Sequence, residues 1–330
     1  MAAASRPWVW IIVALLLVLA GAIAILLWLV RPTYIPAVVG APETHHALPF
    51  RLSETVSALA HPRSLDDPAA LAAAENIAVA RLQGAGFSVE RQPLSAPGGA
   101  TVHDVVTRLP DTGRFVILAA HLDTVPGSPG ADDDASGVAV VLEVADLVAH
   151  SKAANHVVFA LFNREESGLA GSRRFVASSL PTLRRRLLGA VVLDAVGFAS
   201  SVDGSQRAPF PLNLFTRTRG DFLAAITLRG SSALAENFQR ARSVAAPALA
   251  LELLNPPRFL AAGLRDLWRA DHAPFWKAQL PALFLTDTAN FRNPHYHRPT
   301  DVPETLNYDL LAAEADALAE FVRLETAREK

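Results

Sequence analysis

Hydrophobic positions in this chain fall into three kinds of run. The first is unbroken. Residues 8–30 carry no charge over about 23 positions, enough for a helix to cross a bilayer. Trp8, Trp10 and Trp28 lie near its ends, where interface aromatics belong. The run is longer than the apolar region of a cleaved signal peptide, and no A-x-A site comes after it. It therefore reads as an uncleaved, single-pass signal anchor after a short tail, residues 1–7. A lone N-terminal anchor usually exports the domain attached to it, so the rest of the chain is expected outside the cytoplasm, periplasmic or extracellular.

The second kind is short and continuous. Residues 115–120, 157–162, 190–193 and 281–285 predict strands buried on both faces, and 88–92 and 102–109 predict two more. The third kind is bounded by helix signals. Residues 67–82, with Asp67-Pro68 at the start, and 135–150, 168–180, 222–226, 232–242, 272–278 and 308–326 predict helices, the last with Asn307 as N-cap. Residues 31–48 read as a Pro-containing tether, and 49–330 as one domain. Removing residues 1 to about 40 is expected to leave that domain intact. Apolar strands alternating with helices predict an α/β fold with helices on both faces of a central sheet. There is no internal repeat.

Composition changes this picture little. The 330 residues are 51% hydrophobic with a formal net charge of −2, and no basic patch points to nucleic acid. The chain has no cysteine, so a metal site here is built from His, Asp and Glu. His45-His46 in the tether and the Arg184-Arg185-Arg186 run at a helix end read as solvated.

Polar residues cluster just past the predicted strands. His121 and Asp123 come after residues 115–120, and Asp132-Asp133-Asp134 lie in the loop before the next helix. Glu165-Glu166 come after 157–162, Asp194 after 190–193, and His295 and His297 lie in the loop after 281–285. The carboxyl edge of an open α/β sheet is where sites form. Three aspartates in a Gly/Pro-rich loop repel one another unless a cation offsets them. Imidazole and carboxylate suit zinc, and two zinc ions sharing a carboxylate activate water as a bridging hydroxide. Such a site also needs a carboxylate outside the coordination shell to carry a proton.

The motifs HLDT (121–124), PGADDDASG (129–137), NREESGLAGS (163–172), LDAVG (193–197) and NPHYHRPTD (293–301) resemble the co-catalytic zinc aminopeptidases of clan MH, the family of aminopeptidases Y and S and of glutamate carboxypeptidase II. The resemblance runs from about residue 50 to the C-terminus. It implies a zinc-exopeptidase-like mixed sheet, two Zn2+ ions and peptide substrates; release of N-terminal residues is preferred because no inserted protease-associated domain and no arginine cluster for a terminal carboxylate stands out. It implies five metal ligands: His121, Asp133, Glu166, Asp194 and His297, with Asp133 bridging. His121 and Asp194 would hold one zinc, Glu166 and His297 the other. Glu165 would be the general base and then acid, and Asp123 would orient His121. His297 rather than His295 is selected by the motif alone. A cis peptide is implied between Asp133 and Asp134, with residues 131–137 a rigid turn. His272 is expected on the substrate side or behind the ligands. Leu267 stands where some relatives carry a transition-state tyrosine, so the oxyanion partner is unassigned.

Three alternatives fit parts of this pattern. Dinuclear deacylases and carboxypeptidases share the His-x-Asp and Glu-Glu motifs, but their bridging aspartate lies much further along than the short step from Asp123 to Asp133. A glutaminyl cyclase lacks a working second metal. An inactive receptor-like relative loses ligands or the base.

Overall fold

The structure is a computed structural model that describes residues 7–40 and 45–327. Most of the expected tail, and residues 41–44 of the expected tether, lie outside these. In chain order the elements are α1 (Pro7–Leu29), β1 (Thr33–Ile35), α2 (Pro49–Leu59), α3 (Pro68–Gly84), β2 (Val89–Ser95), β3 (Thr101–Thr107), β4 (Phe115–His121), α4 (Gly137–Val148), β5 (Val157–Phe162) and α5 (Ala170–Ser179). Then come β6 (Leu187–Leu193), β7 (Leu223–Thr227), α6 (Ser232–Ala245), β8 (Leu251–Leu254), α7 (Arg258–Ala261), α8 (His272–Lys277), β9 (Ala282–Thr286) and α9 (Tyr308–Ala327).

The strands form one mixed sheet in the order β1-β8-β7-β9-β6-β4-β5-β3-β2. β5, β4, β6 and β9 are parallel neighbours at its centre. β3 joins β5 antiparallel on one side and β7 joins β9 antiparallel on the other. Central strands are buried on both faces, which explains their continuous apolar runs. Period two still sorts their side chains. Val116, Leu118 and Ala120 of β4 enter the core beneath α2, α3, α4, α6 and α9. Phe115, Ile117 and Ala119 enter the opposite core, beneath α5, α7 and α8. Burying such side chains stabilises the sheet by roughly 1.5–3 kcal/mol for each large one.

Several expectations are corrected. Residues 222–226, expected as a helix, fall instead on strand β7 (Leu223–Thr227), paired on both sides. A five-residue apolar run is too short for its periodicity to separate strand from buried helix. β8 and α2 had no clear sequence signal. The expected tether is part of the sheet: β1 pairs antiparallel with β8, Thr33 opposite Leu253 and Ile35 opposite Leu251. His45 is half-buried, its Nδ1 3.2 Å from an Asp316 carboxylate oxygen. Arg186 is no free helix end, because its guanidinium donates to the carbonyls of Pro110, Asp111 and Gly113. Asp67 caps α3 as expected, accepting from the Ala70 N–H at 3.0 Å, and Asn307 Oδ1 accepts from Leu310 N–H at 3.0 Å.

α1 stands free of the domain. Over residues Trp8–Leu29 it is long and apolar enough to cross a membrane, and none of that stretch is buried in the protein. Val30, immediately after it, is 4% exposed and belongs to the core beneath α5 and α8.

Candidate metal centre

The centre lies at the carboxyl edge of the four parallel strands. His121 is the last residue of β4, and Asp194 comes directly after β6. Glu165 and Glu166 lie in the turn after β5, and His297 in the longer loop after β9. Asp133 comes from the turn at Ala131–Ser136, all of it buried, that links β4 to α4. The peptide between Asp133 and Asp134 is cis.

That turn is held from every side. Arg63 is fully buried, and its guanidinium donates to the carbonyls of Leu122 (2.6 Å), Pro129 (2.7 Å) and Gly130 (3.0 Å). Asp301 accepts the N–H groups of Asp132 (2.8 Å) and Asp133 (3.2 Å). Gly130 sits at φ +61°, where a Cβ would lie 2.4 Å from the Asp133 carbonyl, so glycine is required there.

The three adjacent aspartates have separate tasks. Asp134 accepts the backbone N–H groups of His121 (3.0 Å), Gly137 (3.1 Å) and Ala195 (3.2 Å), tying β4, α4 and the loop after β6 together. Asp132 accepts from Gly197 N–H at 2.7 Å and Asn293 Nδ2 at 2.6 Å. Only Asp133 faces the centre. Its Oδ1 is 3.0 Å from His121 Nε2 and its Oδ2 is 3.0 Å from His297 Nε2. Buried N–H groups and Arg63 thus offset much of the repulsion that the sequence assigned to a cation.

Two groups of three donors share Asp133. One is His121, Asp133 and Asp194; the other is Asp133, Glu166 and His297; within each group the donor atoms lie within 4.8 Å of one another. His297 Nε2 is also 3.2 Å from Glu166 Oε1. His295 joins neither group. Its Nδ1 meets Thr300 Oγ1 at 3.0 Å and its ring lies edge-on to Phe198.

Asp123 is connected differently from expectation. His121 Nδ1 lies 3.0 Å from the backbone carbonyl of Asp123, while the Asp123 carboxylate is 3.9 Å away. That carboxylate accepts the N–H groups of Glu165 (2.9 Å) and Glu166 (3.2 Å). Asp123 therefore fixes the imidazole with its main chain and the Glu-Glu turn with its side chain.

The electrostatics call for positive charge. Burial pushes the Asp194 carboxyl up to about 7, with Asp133 adding to the rise, and pushes Glu165 well above the carboxylate range. Burial also raises Asp133, but hydrogen bonds and charge from His121 and His297 outweigh it and hold that carboxyl below the usual range. His297 shows the reverse: burial lowers it, and Asp133 and Glu166 bring it up to about 10. Burial lowers both imidazoles, but the carboxylates around His121 and His297 outweigh it and raise them, so this pocket favours positive charge. A mixed imidazole and carboxylate donor set without thiolate fits zinc.

His272 is not on the substrate side. It is fully buried, with Nε2 2.9 Å from the Leu267 carbonyl and its ring stacked on Phe284 at 4.2 Å. Burial lowers its pKa to about 3, so it is a neutral core histidine. Its neighbour Asp271 is buried as well, near enough to the centre to feel the charge of His121. Burial pushes that carboxyl up to about 7, partly countered by the charge of His121, and Ser172 Oγ donates to it. Tyr296 is a second residue the sequence did not single out, although it sits inside the NPHYH motif. It stacks on His297 at 3.8 Å and its hydroxyl accepts from Arg269 at 3.1 Å. Burial, then Asp133 and Asp194, raise the phenol, which therefore keeps a proton to donate.

A cavity of about 460 Å³ opens from this cluster. Glu165, Asp194 and Tyr296 line one end, and Phe222, Ile226 and Leu254 line the sheet face beyond.

A mixed sheet with a His/carboxylate cluster at the carboxyl edge, a spare buried glutamate and an adjoining cavity defines a metallopeptidase-type domain. The chain belongs to peptidase family M28, whose model matches residues 104–322. It is 31% identical over 303 residues to the uncharacterized protein YfbL of Escherichia coli K12, covering 86% of this chain and 91% of that one. Its fold is that of BSAP, a zinc aminopeptidase from Bacillus subtilis, with a TM-score of 0.69, 16% identity, and 87% of this chain and 97% of that one covered. An aminopeptidase from Aneurinibacillus sp. strain AM-1 aligns with a TM-score of 0.51 and 27% identity over 67% of this chain, which spans 47% of that one.

Proposed function

We propose that the protein is a membrane-anchored aminopeptidase that binds two zinc ions, with α1 as a single-pass anchor and the catalytic domain outside the cytoplasm. The observation that carries this reading is the pair of donor groups joined through Asp133. His121 and Asp194 would hold one ion, Glu166 and His297 the other, and Asp133 both. Bound there, zinc supplies Lewis acidity toward water and toward the scissile carbonyl.

The chain's own residues supply the rest. Glu165 is buried beside the donor groups without belonging to either, and its backbone is fixed by Asp123. Its carboxylate takes a proton from the attacking water and returns it to the departing amine, the role of a general base and then acid. Burial raises its pKa and so makes it a stronger base. The Tyr296 phenol at the cavity wall is a hydrogen-bond donor for the carbonyl oxygen as charge builds on it. The preference for a free N-terminus rests on the family resemblance and on the Aneurinibacillus aminopeptidase.

The test is a panel of matched free-amine and N-blocked peptides given to the purified full chain, with and without chelator. Release of N-terminal residues from free-amine peptides alone, lost on chelation and restored by zinc, is expected. Cleavage of blocked peptides, or full activity without divalent metal, would overturn the reading.

A further inference from the structure

The cavity reaches the root of the anchor. Pro32, three residues past the end of α1, forms part of its wall. The β1–β8 register sets Thr33 opposite Leu253, so the chain leaving α1 runs beside Leu254 and Asn255, just before α7. On its other side Tyr34 meets Phe222 edge-on at 6.5 Å, and the Arg217 guanidinium stacks on the Tyr34 ring at 3.9 Å. The anchor root is thus wedged between residues 206–217 and the segment leading into α7.

Both flanking segments carry large apolar side chains in solvent. Phe210 is 74% exposed and Leu214 56%, although their neighbours Pro209 and Leu212 line the cavity. Phe259 in α7 is 68% exposed, while Arg258 beside it reaches over Trp268, another cavity residue. All of these elements pack on the same face of the sheet as Val30. Basic residues accompany them. Arg31, Arg207 and Arg265 are exposed and make no ion pair among the described residues. Aromatic and aliphatic tips among arginines match the boundary between lipid headgroups and acyl chains.

We infer that the face bearing Phe210, Leu214 and Phe259 rests on an anionic bilayer beside the anchor, and that the cavity takes apolar peptide N-termini presented at that surface. The inference rests on the anchored aminopeptidase proposed above and adds where its substrates come from. An anchor alone would leave the domain free to swing. Contact through this face fixes its orientation and brings the apolar half of the cavity to the membrane.

The absence of cysteine permits a clean test with single-cysteine variants of the full chain in lipid nanodiscs. Phe210→Cys, Phe259→Cys and Glu90→Cys each carry an environment-sensitive fluorophore, and the discs contain phosphatidylglycerol and a headgroup nitroxide lipid. Glu90 lies on β2, at the opposite edge of the sheet from β1, eight strand spacings or roughly 38 Å away. Quenching at 210 and 259 but not at 90 is expected. A second arm compares one apolar free-amine peptide in solution with the same peptide tethered to lipid by its C-terminus. The double variant Phe210→Ser/Phe259→Ser should cleave the soluble peptide at the unaltered rate and the tethered one about tenfold more slowly, the factor that about 1.4 kcal/mol of lost contact gives. Unquenched labels in discs that retain the protein would overturn the inference and leave the anchor standing. Protein not retained by the discs would remove the anchor and the inference together. Quenched labels without cleavage of either peptide would overturn the peptidase reading and the substrate half of the inference, leaving only the membrane contact.

Discussion

Replacing Asp123 by alanine separates its two connections. The backbone carbonyl that meets His121 Nδ1 survives the change, while the carboxylate that accepts the Glu165 and Glu166 N–H groups is lost. Asp123 is 1% exposed, so those N–H groups are left without partners inside the protein. An orphaned buried donor costs about 1–3 kcal/mol. Against this, the variant no longer buries a carboxyl whose pKa burial has raised. The net loss is roughly 2–4 kcal/mol, or a fall in Tm of about 3–7 °C for a domain of about 280 residues. The effect on metal should be uneven. The group containing Glu166 should bind zinc about 10–100-fold more weakly, the usual size for losing a supporting hydrogen bond. The group containing His121 and Asp194 should keep its affinity. Metal content measured across a zinc titration should therefore fall from two ions toward one, with activity down by about 10²-fold as Glu165 loses its placement. Asp123→Asn keeps one acceptor oxygen and should lie between the two. Equal loss of both ions, or none with full activity, would refute this division of labour.

A chain beginning at residue 30 should be soluble and active, whereas one beginning at residue 41 loses β1, the Tyr34–Phe222 contact and the Arg217 stack. The shorter chain should melt several degrees lower, since the ring pair and the cation–π contact are each worth about 1 kcal/mol beyond burial; equal melting curves would show that β1 is dispensable. Asp104 provides a pH test. Burial pushes its carboxyl up to about 8, partly offset by the Asn163 N–H it accepts, and its other oxygen has no partner. The folded state therefore holds a proton that the unfolded chain releases near pH 4. Its contribution to stability is full below pH 4 and is lost as pH rises toward 8. Asp104→Asn should leave Tm at pH 4 nearly unchanged and raise it at pH 8; the same Tm difference at both pH values would contradict the assignment.

The sequence revealed most where local pattern and burial agree. The strands at 115–120 and 157–162 are central, apolar on both faces, and bounded by polar turns, so composition alone marks them. His121, Glu166 and Asp194 stood out because each lies at or just past the end of such a strand, whereas Asp133 and His297 lie further along their loops and stood out by the motifs around them. The features that stayed hidden depend on distant contacts. Arg63 lies 67 residues before Gly130 in the turn it supports, and an isolated arginine carries no sign that its guanidinium will be enclosed. Asp132, Asp133 and Asp134 are chemically alike, and only the chain's path through the turn sends one toward the histidines and the others to backbone N–H groups. Residues 222–226 contain two alanines and are too short for periodicity to decide. β1 has three residues and a proline on each side, and it becomes a strand because β8 offers an open edge.

The adjacent glutamates separate metal binding from proton transfer. Glu166→Gln removes a member of a donor group, and Glu165→Gln removes only the proton carrier. Both variants should be purified, analysed for zinc and assayed on a free-amine peptide. Glu165→Gln should keep its full metal content while activity falls by about 10²–10⁴-fold, the size of a general acid–base contribution. Glu166→Gln should lose part of its zinc and recover part of its activity when zinc is supplied in excess. If Glu165→Gln loses the metal and Glu166→Gln retains it, the two roles are reversed; if both variants are fully active, the reaction takes place elsewhere.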